Sequence, residues 1–393
     1  VGDEDQSIYG FRGADITNIL RFEKDFSGAK VIKLEQNYRS TQNILDAATA
    51  VVSNNLSRSE KVLWTSKQAG EHITLHAAND ASDEAFFVAQ KVRQHLDSGV
   101  VGIAVLYRTN FQSRQFEEVF RRLSIPYRLV GGVSFYHRKE VRDALAYLRV
   151  ARNPEDNVSL ERILNEPPRG IGQVTRDRLR QLADEKALSL WGALQHSLGE
   201  NLFPGRAHLA LRTFAELVNT FQEALDLPLY LALETILDTS GYMEIFRKED
   251  SESSENRVLN IQELITVARD YSDGEGALQS FLDQAALYSD IDEFDSSADI
   301  TLMTLHNAKG LEFPVVFLAG CEEGLFPHSR AIDENDLEEE RRLCYVGLTR
   351  AQKKLYLSYC HRRRFFGRES DELNQPSRFL SEIPVKLLET AWG

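Results

Sequence analysis

Glu338-Glu-Glu-Arg-Arg-Leu-Cys-Tyr-Val-Gly-Leu-Thr-Arg-Ala351 opens on three carboxylates, carries an apolar stripe through Leu343 and Val346, and reaches Arg350 near its end. The spacing predicts a helix with acids in its first turn. Directly afterwards, Lys354-Leu-Tyr-Leu-Ser-Tyr359 alternates as a strand does. An arginine delivered at the end of a helix, beside a sheet, can reach into a cleft between two lobes. A guanidinium suits that task because it stays charged and grips phosphate oxygens with a planar fork. Two readings of Arg350 stand on this stretch alone: a cleft arginine, or one partner of an ion pair on a solvated helix.

Outward from this stretch the same alternation recurs. Strand patterns fall at Val31–Glu35, Ile73–Ala77, Gly102–Tyr107, Tyr127–Val130, Ile300–Leu305 and Pro314–Ala319. Between them lie a helix after Ser40-Thr41, helices at about 83–96 and 112–123, and a short helix around Ala308–Leu311. Alternating strands and helices imply a largely parallel sheet covered on both faces, an α/β fold. From Lys139 to about Asp295 the spacing is helical instead. It is punctuated at Asn153-Pro154, Pro167-Pro168, Pro204-Gly205 and Pro228. The sheet is thus expected to be split by an all-helical insertion, with Ser251–Glu255 a mobile loop and Asp290–Ser297 an exit linker.

Of the 393 residues, 42% are hydrophobic and 27% charged, as in ordinary globular chains. No apolar run approaches the roughly 20 residues that cross a bilayer, and no membrane partner is expected. Cys321, Cys344 and Cys360 have neither disulfide nor zinc spacing, which reads as a reduced, cytoplasmic interior. The opening Val1-Gly-Asp lacks methionine and reads as the middle of a longer protein. The net charge of −14 disfavours nucleic acid only if averaged over the chain. From Arg341 to Arg368 there are nine Lys/Arg and no Asp/Glu, whereas Met243–Asp299 holds fifteen acids against four bases. A local basic surface beside an acidic domain is compatible with DNA binding.

The motifs offer phosphate and base contacts. In Val1–Ala14, Gln6 can bond both a phosphate oxygen and a water. Tyr9 and Phe11 either stack on bases or belong to a core, and Arg12 adds a cation. Gln36-Asn-Tyr-Arg-Ser40 places Tyr38 and Arg39 where a strand pattern meets a helix. Tyr107-Arg-Thr-Asn110, at a strand end, fits phosphate and sugar through Arg108 and Asn110. Leu305-His-Asn-Ala-Lys-Gly-Leu-Glu312 offers His306 and Lys309 to a phosphate backbone and Glu312 to a ribose hydroxyl. Pro167-Pro-Arg-Gly-Ile-Gly-Gln-Val-Thr175 is either a plain connector or a turn whose backbone amides bind phosphate through Gly170, Gly172 and Thr175. The sequence shows no metal-ligand spacing, no nucleophile elbow and no Gly-rich phosphate loop ending in Gly-Lys-Ser/Thr.

In this order the motifs resemble the C-terminal part of a UvrD/PcrA/Rep-type superfamily 1 DNA helicase. Val1–Ala14 is similar to motif III, Gln36–Ser40 to motif IV, Thr304–Gly320 to motif V and Arg341–Ala351 to motif VI. Position 11 departs, with Phe where many relatives carry Trp. The resemblance implies a RecA-like (P-loop NTPase-type) parallel-sheet motor domain interrupted by a helical insertion. Residues 1–20 would be a remnant of a first motor domain. Residues 21–136 and 298–388 would be the second motor domain, 137–297 the insertion and 389–393 a tail.

The resemblance further implies a 3′→5′ translocase that uses ATP and Mg²⁺, with the metal ligands and phosphate loop in a half absent from this sequence. Tyr38 would stack on adenine, Arg39 and Arg350 would act as arginine fingers, Gln6 would link the γ-phosphate to DNA, and Glu312 would contact the nucleotide. Tyr9, Phe11, Arg12, Arg108, Asn110 and His306 would line a single-strand track, and Gly170–Thr175 would touch duplex. Partners would be single-stranded DNA, single-strand/duplex junctions and repair or replication proteins. The chain alone would lack ATPase activity. The alternative is a non-catalytic DNA- or protein-docking module.

Overall fold

The computed structural model describes residues 1–10, 13–59, 61–249, 251–271, 276–290, 298–333, 336–363 and 373–391. They form two compact units: residues 1–134 with 298–363 and 373–391, and residues 135–290.

The first unit is built on strands β1 (Ile73–Asp80), β2 (Ile103–Tyr107), β3 (Arg128–Val130), β4 (Ile300–Thr304), β5 (Phe313–Leu318), β6 (Ala351–Arg362) and β7 (Leu388–Thr390). They make one sheet in the order β3-β4-β2-β5-β6-β1-β7, parallel at every pairing. Every residue of β2 and β4 is buried, which explains why these strands read as near-continuous apolar runs. One face packs on helices Gln42–Val52 and Leu337–Leu348 through Ile44, Val51, Leu343 and Val346. The other packs on Ala81–Asp97 and Ser113–Arg122 through Phe87, Val92, Phe116 and Phe120. The fold is the expected α/β architecture with a parallel sheet.

Such a sheet has two unlike edges, one showing the amino ends of all strands and the other the carboxyl ends. The Leu337–Leu348 helix connects the carboxyl end of β5 to the amino end of β6, so it runs from one edge to the other. At 1.5 Å per residue it is roughly 18 Å long.

The regular elements of the second unit's described residues are all helices. Tyr147, Phe214, Phe221, Tyr242 and Phe281 fill its core.

Four local expectations are corrected. Val31–Glu35 joins no ladder; its neighbour Gln36 makes one isolated bridge to Trp64, and Val31, Ile32 and Leu34 are exposed. Alternation alone does not make a strand where no partner strand lies alongside. Residues 305–310 form turns rather than a helix, with Gly310 at φ +86°. Ser251 caps helix Glu252–Arg269 by accepting from Ser254 N at 3.1 Å, so its Ser/Glu-rich surroundings start a helix. Leu388–Thr390 extends the sheet on β1, where a tail was expected to begin at 389. The exit linker falls largely in 291–297, outside the described residues.

Candidate nucleotide and nucleic-acid site

At the amino edge, Arg350 sits between the end of the Leu337–Leu348 helix and the start of β6. It is 1% exposed. Its Nε donates to Val346 O (2.9 Å), one Nη to Leu311 O (3.0 Å) and the other to Thr349 Oγ1 (3.0 Å). None of these partners is a carboxylate. The acids of its own helix are engaged elsewhere: Glu338 accepts from Leu56 N and Ser57 N, Glu339 from Gly10 N, and Glu340 from Arg108 and His328 N. The solvated ion-pair reading therefore fails. Burial, and then the nearby Arg39 guanidinium, push the Arg350 pKa down to about 10. Arg350 is thus a buried cation beside a second cation.

Arg39 lies at the same edge because Ser40 Oγ donates to Ala351 O at 2.6 Å. Its backbone is fixed by Asn37 Oδ1, which accepts from Arg39 N (2.8 Å) and Ser40 N (2.9 Å). The Arg39 Nε donates to Glu312 Oε2 at 2.6 Å. That hydrogen bond is the leading reason the Glu312 carboxyl lies below the usual carboxylate range. Gln352 Nε2 donates to the other Glu312 oxygen at 2.9 Å. Tyr38 is 73% exposed, a free face for a ring to stack on. The structure thus brings Arg39, Glu312 and Arg350 together at the amino edge, with Tyr38 next to Arg39 in the chain.

At the carboxyl edge, Arg108 and Asn110 follow β2, and His306 follows β4. Arg108 is 9% exposed and forks Glu340, with Nε 2.9 and 3.2 Å from its two oxygens and Nη2 2.9 Å from one of them. Asn110 opens a 3₁₀ turn and is half-buried. Tyr9 Oη donates to His306 O at 3.3 Å, and Lys309 Nζ stands 5.0 Å over the Tyr9 ring while donating to Gln6 O at 2.8 Å. Phe11 and Arg12 lie outside the described residues.

The segment holding Gln6 and Tyr9 runs antiparallel to the Leu337–Leu348 helix. Gly10 N donates to Glu339 Oε1 (2.9 Å), and Arg342 Nε donates to Ser7 O (2.9 Å). Further along, Asp5 is 1% exposed and held by Arg58 and Lys61. Gln6 Nε2 donates to Asp3 Oδ2 at 2.6 Å.

In the helical unit, Gly170 takes φ +79° and Gly172 caps helix Gln173–Lys186. Thr175 lies in that helix's first turn, its N bonded to Gly172 O at 3.1 Å. Asn165 Oδ1 accepts from Arg169 N (2.8 Å) and Ile171 N (3.1 Å), folding the turn so that Gly170 and Gly172 face solvent. The Arg169 guanidinium braces it from within, donating to Ile163 O, Pro167 O, Tyr147 Oη and Ser240 O.

Among the described residues, one cluster has metal-ligand composition: Glu84, Glu322 and Cys360, all buried. Arg363 already occupies it, donating to both carboxylates. The amino edge holds no comparable acidic set among the described residues.

Sequence reasoning missed Asn37, Asn165, Arg169 and Glu340. The two asparagines carried a readable signal, since Asn commonly bonds backbone amides a few residues on. Glu340 carried none, being 232 residues from Arg108.

Comparison with known proteins gives a consistent result. The UvrD-like helicase C-terminal domain profile matches residues 32–362, and the UvrD/REP helicase N-terminal domain profile matches 1–27. The chain is 46% identical over 399 residues to DNA helicase II of Escherichia coli strain K12, covering 99% of this chain and 55% of that protein. It is 45% identical over 402 residues to the ATP-dependent DNA helicase PcrA of Staphylococcus aureus, covering 99% and 54%. The DNA helicase II of Haemophilus influenzae is likewise 45% identical, with 99% and 54% covered. The chain spans about half the length of the curated relatives it matches.

Proposed function

The chain belongs to the UvrD-like helicase family, and from that premise we propose that it is the C-terminal region of an ATP-dependent 3′→5′ DNA helicase. It would move on single-stranded DNA and unwind duplex at junctions, in repair or replication, as a cytoplasmic protein. The observation that carries this reading is Arg350: a buried guanidinium that bonds no carboxylate among the described residues and has Arg39 nearby. That set fits an anionic nucleotide, and a docking module has no use for it. Residues 1–20 would end a first motor domain, 21–136 and 298–388 would form the second, and 137–297 the insertion.

ATP, when bound, supplies the γ-phosphate charge and the bond that is cleaved. This chain's residues act by position and charge. Arg350 and Arg39 would hold the γ-phosphate by charge, and Glu312, which accepts from Arg39 in this structure, would contact the ribose. Tyr38 would stack on the base, and Gln6 would link the phosphate to the strand. Tyr9, Phe11, Arg12, Arg108, Asn110 and His306 would line the single-strand track, of which Arg108, Asn110 and His306 lie at the carboxyl edge, and the Gly170–Thr175 turn would hold duplex phosphate. Magnesium ligands and the phosphate loop would come from an ATP-binding half, so this chain alone should show negligible turnover. Measurable DNA-stimulated ATP hydrolysis by the isolated chain would refute that part.

The helicase reading is tested by strand displacement with the protein that joins this chain to its ATP-binding half. Duplexes with a 3′ single-stranded tail should be unwound and 5′-tailed ones left intact. Equal unwinding of both would overturn the polarity, and unwinding of neither would favour docking.

A further inference from the structure

The two halves of the site lie at opposite edges of one sheet, and one helix touches both. At its carboxyl-edge end, Glu340 holds Arg108 by two Nε contacts (2.9 and 3.2 Å) and one from Nη2 (2.9 Å). Its Oε2 also accepts from His328 N at 3.0 Å. Arg350 follows the amino-edge end. Both members of the Arg108–Glu340 pair are buried, so pulling them apart would strand two charges away from water. A force on Arg108 therefore moves Glu340 with it. The helix packs closely on the segment after β4 at Gly347. A Cβ added at Gly347 would come within 2.5 Å of Leu305 Cδ2, beside His306. Glu339 and Arg342 fasten the same helix to the segment that carries Gln6 and Tyr9.

We propose that Glu340 is a positioning residue that couples DNA contact at the carboxyl edge to the arginine finger at the amino edge. A DNA phosphate drawing on Arg108 shifts Glu340, Glu340 shifts the helix, and the helix resets Arg350. This inference rests on the helicase reading. It adds that stimulation by DNA travels through one buried ion pair.

The test measures ATP turnover by the intact motor without DNA and across a titration of single-stranded oligonucleotide. Three proteins are compared: wild type, Glu340→Gln, and the double variant Arg108→Gln/Glu340→Gln, which removes both charges of the pair. Coupling through the pair predicts that stimulation at saturating DNA drops by about fivefold or more in both variants. In Glu340→Gln, turnover without DNA should change by less than about twofold. In Glu340→Gln the half-saturating DNA concentration should stay level or fall, because the Arg108 charge is retained. Full stimulation in the double variant would mean the pair is only structural and would overturn the proposal. So would loss of DNA-free turnover in parallel with stimulation. If wild type shows no stimulation by DNA, the helicase reading fails and takes the proposal with it.

Discussion

Replacing Arg350 by methionine should leave the fold nearly as stable as before. A buried cation without a carboxylate is held at a cost: its pKa is pushed down to about 10, first by burial and then by Arg39. At about 1.4 kcal/mol per pKa unit, the charged form costs the native state roughly 3 kcal/mol. Against this, the methionine variant would lose three hydrogen bonds, to Val346 O, Leu311 O and Thr349 Oγ1. At about 1 kcal/mol net each, that loss is also roughly 3 kcal/mol. Methionine keeps most of the aliphatic length, so cavity formation is small.

The two terms offset, and Arg350→Met should shift stability by no more than about 1–2 kcal/mol, where truncating a large buried side chain costs about 2–5 kcal/mol. Hydrogen exchange resolved to the β5 and β6 peptides reads this directly in the sheet-bearing unit. The sign with pH follows from the lowered folded pKa. Below about pH 10 the penalty is present in full. Above it the unfolded chain holds more protons than the native one, so wild-type stability gains with pH there, and the variant should lack that gain. Destabilisation beyond about 3 kcal/mol would mean the charge is compensated in the native state, refuting the account of Arg350 as an unpaired cation.

Three further changes probe other parts of the chain. Arg363→Met strands Glu84 and Glu322, both fully buried, and should cost about 3–5 kcal/mol in urea denaturation. Burial pushes the Glu84 carboxyl up, but Arg363 and its hydrogen bonds hold it below the usual range. Its stabilising share is thus present above the ordinary carboxylate pKa and lost as pH falls through the lower folded value; acid unfolding of the variant should begin at higher pH. Glu312→Gln breaks a bridge whose partners are 26% and 48% exposed, so thermal denaturation should register less than about 1 kcal/mol. Asn165→Ala strips two amides of their acceptor and should cost about 1–3 kcal/mol, seen as faster hydrogen exchange across 165–175 and weaker duplex binding.

Much of this was legible because a parallel sheet writes itself plainly. β2, β4 and β5 are buried on both faces and read as Ile-Ala-Val-Leu-Tyr, Ile-Thr-Leu-Met-Thr and Phe-Pro-Val-Val-Phe-Leu, which few other elements would produce. The helical insertion was equally clear from its spacing. What failed depended on neighbours. Val31–Glu35 has a strand's pattern but no strand beside it, while Leu388–Thr390 is too short to show a pattern and exists because β1 offers an edge. Arg39 and Arg350 could be suspected individually; that Arg350 has no carboxylate could not, because it depends on where Glu338, Glu339 and Glu340 turn. The Arg108–Glu340 and Gln6–Lys309 contacts join residues 232 and 303 positions apart, and nothing local marks them.

The central claim is that Arg350 waits at the sheet's amino edge for a nucleotide phosphate. Its most direct test is steady-state ATP turnover by the intact motor, with and without single-stranded DNA, for wild type and Arg350→Ala. The account predicts DNA-stimulated turnover in the wild type that falls by roughly 10³–10⁵ in the variant, the usual worth of an arginine finger. Turnover in the variant within a few-fold of wild type would contradict it and make Arg350 a structural residue.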